Sequence, residues 1–112
     1  MGDIWTFRED IAGADLVGFD VEASDGEIGK VDSASYDVGS SHIVVDTGLW
    51  VLGQRSLLPA AAVTSIDYDE GKLFVDRPKE EIKNAPEYDP DQWESGESRA
   101  AFEGYYAPYL VP

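Results

Sequence analysis

The chain has 112 residues, enough for one domain around one core and too few for two. Its 23 acidic against 8 basic residues give a formal charge of −15, which repels phosphate backbones and anionic lipid surfaces. It has no cysteine, so disulfides, thiolate metal sites and thiol nucleophiles are excluded, and the fold must rest on packing.

Thr6-Phe7-Arg8-Glu9 reads as a capping box that opens a short helix, with Gly13 as its stop. Asp3, Glu9 and Asp10 occupy the place where a secretory signal carries basic and apolar residues, so no such signal is expected. From Val17 the pattern becomes strict alternation: Val17, Phe19, Val21 and Ala23 against Gly18, Asp20, Glu22 and Ser24, which predicts a half-buried strand. Asp25-Gly26 marks a hairpin turn. The next strand spans residues 27–38. Ile28 shares its parity with Ala34, Tyr36 and Val38 while Val31 has the other, which predicts a bulge near Gly29.

Residues 41–47 are rich in β-branched side chains and suit a central strand, with His42 on its surface. Leu49-Trp50-Val51-Leu52 lies between glycines and is too apolar for an ordinary loop, so it either tucks under the sheet or presents Trp50 to a partner. Residues 55–60 form a fourth strand, which Pro59 confines to an edge or a strand end. Residues 63–68 and 72–76 are the fifth and sixth strands around the Asp69-Glu70-Gly71 turn. Short strands in a meander with close turns mark a small barrel or sandwich. The longest apolar-rich run, residues 57–63, falls far short of the roughly 20 residues of a membrane span. A cytoplasmic protein with no membrane span is expected.

Pro78 opens a short helix that ends near Asn84, and Pro86 prevents its extension. Asp89 caps a second helix with Pro90 in its first position, running to about Glu103. An aromatic, apolar tail follows over residues 104–112.

The order Leu16-Val17-Gly18 with Val21, then Asp25-Gly26-Glu27-Ile28-Gly29-Lys30-Val31-Asp32, then Ile43-Val44-Val45-Asp46, then Leu57-Leu58-Pro59-Ala60 with Val63, then Ile66-Asp67, resembles the PRC-barrel domain. That small β-barrel occurs in the cytoplasmic part of the photosynthetic reaction centre H subunit and in a ribosome maturation factor. The likeness covers residues 15–77. The run from Trp50 to Gly53 and Ile82-Lys83-Asn84-Ala85-Pro86 resemble a stand-alone bacterial subgroup of the family. The resemblance implies an all-β fold: a six-stranded PRC-type barrel over residues 15–78, after a helical lead-in over 1–14 and before a helical and aromatic tail over 79–112. It implies an adaptor role and names no catalytic residue. The membrane helix of the photosynthetic protein is not expected here, and the charge argues against work beside RNA.

The other chemistries are weaker. His42 could join Ser40 or Ser41 in a hydrolytic triad, but there is no nucleophile elbow, and neighbouring strand residues point to opposite faces. Asp67-Tyr68-Asp69-Glu70-Gly71 lacks the spacing of a calcium loop, since Pro78 stands where the chelating carboxylate belongs. Asp89, Asp91 and Glu94 are accounted for by helix capping. Gly26 and Gly29 lack the Gly-Lys-Ser or Gly-Lys-Thr of a phosphate loop. The expected function is therefore non-catalytic, with no cofactor and no metal: a module that self-associates, as a homodimer, through barrel edges and the tail. The candidate contact residues are Trp50, Val51, Trp93, Phe102, Tyr105, Tyr106, Tyr109 and Leu110. The alternative is an adaptor that binds one other protein through the Trp50 loop. A small enzyme or metal binder is the least supported reading, and nucleic acid is not an expected partner.

Overall fold

The structure is a computed structural model, and it describes residues 4–7, 15–35, 41–47, 55–86, 88–94, 96 and 98–110. Six strands are formed among them: β1 (Asp20–Ala23), β2 (Gly26–Ser35), β3 (His42–Asp46), β4 (Arg55–Pro59), β5 (Val63–Asp67) and β6 (Lys72–Val75). They make one sheet in the order β4-β3-β2-β1-β6-β5. The two edge strands, β4 and β5, are consecutive in the chain and joined only by the 3-10 turn Ala60–Ala62, so the sheet curls until its edges are one turn apart. The fold is thus barrel-like and all-β in its body. It is not a simple meander, because β6 pairs in parallel with β1, Val21 opposite Leu73.

Local chemistry accounts for the curl. In β2 the pairing jumps from Val21–Gly29 to Glu22–Glu27, leaving Ile28 as the extra residue of a bulge beside Gly29, where the parity change placed it. A second shift at Asp32 lets Val31 pair with Val45 and Ser33 with Val44. Through these shifts Ile28 and Val31, of opposite parity, are both buried. Pro59 ends β4, an edge strand, where its missing amide costs no ladder bond.

β1 starts later than the alternation implies. Gly18, at φ +89°, turns the chain, and Val17 is left 56% exposed while Val21 and Ala23 point inward. His42 also departs from expectation. It is buried, because residues from the helical extension close over that face of β3. Of the lead-in, residues 1–3 and 8–14 lie outside the described part, as does the 36–38 end of the expected second strand. Ile4, Trp5 and Phe7 are core while Thr6 between them is exposed; the Ser41 amide donates to the Trp5 carbonyl at 3.0 Å, and the Ala61 amide to that of Ile4 at 3.0 Å.

Among the described residues three helices follow the barrel: α1 (Lys79–Lys83), α2 (Pro90–Glu94) and α3 (Arg99–Leu110). Pro78 cannot cap α1 with a side chain, and the Asp25 carboxylate does so from the β1–β2 turn, accepting from the Lys79 amide at 2.9 Å. Asp89 caps α2 by accepting from the Asp91 amide at 2.9 Å. The single helix expected up to Glu103 is instead two, broken around Gly96, whose φ is +83°. The second of them runs on through the stretch expected as a tail. Burial of Phe102 and Tyr106, four residues apart on one face, offsets the cost of Gly104 and Pro108. Pro108 falls in the last turn of the helix.

Candidate functional site

The C-terminal helices lie on the barrel as an aromatic seam. At its first end, α2 sets the Trp93 ring 4.7 Å from His42, 5.4 Å from Trp5 and 6.1 Å from Phe102, measured between ring centroids. The Trp5 indole nitrogen donates to the Glu103 carboxylate at 2.9 Å, and the Arg99 guanidinium lies 5.7 Å from the Trp5 ring. Beside this group a cleft of about 530 Å³ opens between the end of β2 at Ser33 and Ser35 and the side chains of Tyr88, Trp93 and Arg99. Burial raises the Tyr88 hydroxyl above its ordinary range, with Glu94 adding to the effect.

At its other end the seam is built from tyrosines. Tyr105 donates its hydroxyl to the Glu81 carbonyl at 2.6 Å, and its ring stands perpendicular to Tyr106 at 5.0 Å. Arg77 bridges the Glu81 carboxylate at 3.4 Å and covers the Tyr109 ring at 5.2 Å. Burial pushes the Glu81 carboxyl up, against the pull of Arg77, and raises both Tyr105 and Tyr106. These tyrosines are neutral at physiological pH and serve as packing surfaces with polar tips.

The expected contact residues are distributed unequally. Trp50 and Val51 lie outside the described residues. Phe102 and Tyr106 are wholly inside the chain's own core, and Trp93, Tyr105 and Leu110 are half-buried against it. Tyr109 is 54% exposed. The structure therefore brings Trp93 together with Phe102, and Tyr105 with Tyr106 and Tyr109, at opposite ends of one helical seam. Trp5, His42, Tyr88 and Arg99 belong to the same seam and were not singled out for it by their pattern. The one signal for Trp5 was the apolar trio Ile4, Trp5 and Phe7 in an otherwise charged stretch.

No protein-family model matches this chain, and no curated protein matches it. Among solved structures it is similar to a 16S ribosomal RNA processing protein, RimM, from Pseudomonas aeruginosa, with 26% identity and a TM-score of 0.49 over 58% of this chain. The match spans 42% of that protein, less than half its length.

Among the described residues no three histidine, aspartate or glutamate side chains gather as a metal site, and no helix is long and apolar enough to cross a membrane. His42 stands edge-on to Trp93 and also lines the cleft. What the site offers chemically is aromatic surface flanked by charges of both signs, Arg77 and Arg99 beside Glu81 and Glu103.

Proposed function

We propose that the protein is a non-catalytic interaction module of the PRC-barrel type, working in the cytoplasm, that pairs with a second copy of itself through the outer side of α3 and the neighbouring barrel edge. The observation that carries this reading is Tyr109, 54% exposed on a helix whose Phe102 and Tyr106 are locked into the core. With a charge of −15 on each copy, association has to come from local apolar contact, and a rigidly held aromatic supplies it at small entropic cost. Two copies of Arg77, already against Tyr109, would soften repulsion at the contact. The family assignment is supported by the ordered residues from Leu16 to Asp67 and by the curled six-stranded sheet.

The test is the mass of the full chain by light scattering, with and without Tyr109→Ser. A dimer that becomes a monomer with little change in melting temperature is the expected result. A wild-type monomer at high micromolar concentration would refute it. Deleting residues 104–112 would not test the idea, because the deletion removes Tyr106 from the core.

A further inference from the structure

At the far end of the β1–β6 pair from Arg77 and Tyr109, a second apolar surface is exposed. Phe19, just before β1, meets Tyr68 of the β5–β6 turn edge-on, with ring centroids 6.1 Å apart, and the Asp20 amide donates to the Gly71 carbonyl at 2.9 Å to hold the two segments together. Tyr68 is 58% exposed, and Val17, on the turn that leads into Phe19, is exposed to a similar degree. The rim is acidic. Asp15, Asp67, Asp69 and Glu70 have no ion pair among the described residues, whereas Asp20 and Glu22 are matched by Lys30 and Lys72. Asp15 and Asp67 are also fixed in place, accepting from the Val17 and Glu70 amides at 3.3 and 3.1 Å.

We propose that this barrel end docks a basic, amphipathic segment of a different protein, with an apolar side chain of the partner on the Phe19–Tyr68 pair and its lysines or arginines on the carboxylate rim. The occupant follows from charge. A second copy would bring the same rim and a further −15, and nucleic acid or an anionic membrane would be repelled in the same way. A cationic protein segment gains both the apolar contact and the charge match. This surface is separate from the α3 contact, so it holds or fails on its own.

The experiment is an amide NMR titration of the full chain with a short amphipathic leucine–lysine peptide, alongside an oligolysine of equal charge. Saturable shifts centred on Gly18, Phe19 and residues 68–71 are expected. Oligolysine, and the amphipathic peptide against Tyr68→Ser, should each bind about tenfold more weakly, the effect of losing one large apolar contact. Tyr68 is exposed, so an unchanged spectrum away from residue 68 verifies that the variant is folded. Shifts spread over the whole acidic surface, equal binding of oligolysine, or undiminished binding by Tyr68→Ser would overturn the proposal. So would a Tyr68→Ser chain that differs from the wild type in its own oligomeric mass, since the patch would then be covered by another copy.

Discussion

Replacing Gly29 with alanine should be among the most damaging single changes in the barrel. A Cβ at this position would sit well inside contact distance of the Asp46 carbonyl oxygen, 2.9 Å from its carbon and 3.0 Å from the Thr47 Cα. The obstacle is backbone, so no rotamer relieves it, and β3 must move away from β2 at the Lys30–Asp46 and Val31–Val45 pairs. Gly29 also has φ +151°, a conformation that costs other residues about 1–3 kcal/mol. Adding two or three ladder bonds at about 0.5–1.5 kcal/mol each brings the loss to roughly 4 kcal/mol. That is a large share of the ~5–15 kcal/mol that holds a domain of this size. Gly71 provides the control: its φ is +65°, but nothing lies within 4 Å of its missing Cβ, so Gly71→Ala should cost only about 1 kcal/mol. Urea unfolding followed by circular dichroism measures both, and at ~4 °C per kcal/mol Gly29→Ala should melt about 15 °C below the wild type. Equal losses at the two glycines would refute the argument that close approach to Asp46 sets the requirement.

Tyr106→Phe removes a fully buried hydroxyl with no hydrogen-bond partner among the described residues, so stability in urea should hold or rise by about 1 kcal/mol. Asp25→Ala removes the external cap of α1 and should cost about 1 kcal/mol by the same measurement, with Asp25→Asn recovering most of it. Glu81 is raised by burial, so between its folded value and the ordinary 4.5 the native chain holds a proton that the unfolded chain has released. The stability from this group is complete below 4.5 and lost as pH rises through the folded value. Glu81→Gln should therefore melt higher than the wild type at neutral pH, with the gap closing as the pH falls below 4.5; a gap that widens on acidification would show that the Arg77 pair outweighs burial.

Much of the barrel was legible because its signals are local. The β-branched run around Val44, the proline at residue 59 and the turn around Gly71 delimit strands β3 to β6 to within about a residue or two. The pairing of β1 with β6 was not legible, since it joins segments about fifty residues apart and leaves no mark on either. Val17 was assigned to the inner face by alternation alone, and a single positive φ at Gly18 removed it. His42 looked like a surface residue because nothing in β3 records that Trp93 will cover it. The aromatic residues at the C-terminal end stand out in the sequence as candidate contacts, but Phe102, Tyr106 and Tyr109 form one continuous helical stripe at spacings of four and three. Which members of that stripe meet the barrel depends on where the core ends beneath the helix, and the structure places that limit between Tyr106 and Tyr109.

The bond between Trp5 and Glu103 joins residues separated by 98 positions, and it sets an order of events during synthesis. At ribosomal rates of roughly 5–20 residues per second, Trp5 waits about 5–20 s for Glu103 to be made. All six strands precede α3 in the chain, so the barrel can form while Trp5 lacks its hydrogen-bond acceptor and its cover from Trp93 and Phe102. In that interval the six strands are all available while Trp5 still awaits the cover that α2 brings through Trp93 and α3 through Phe102.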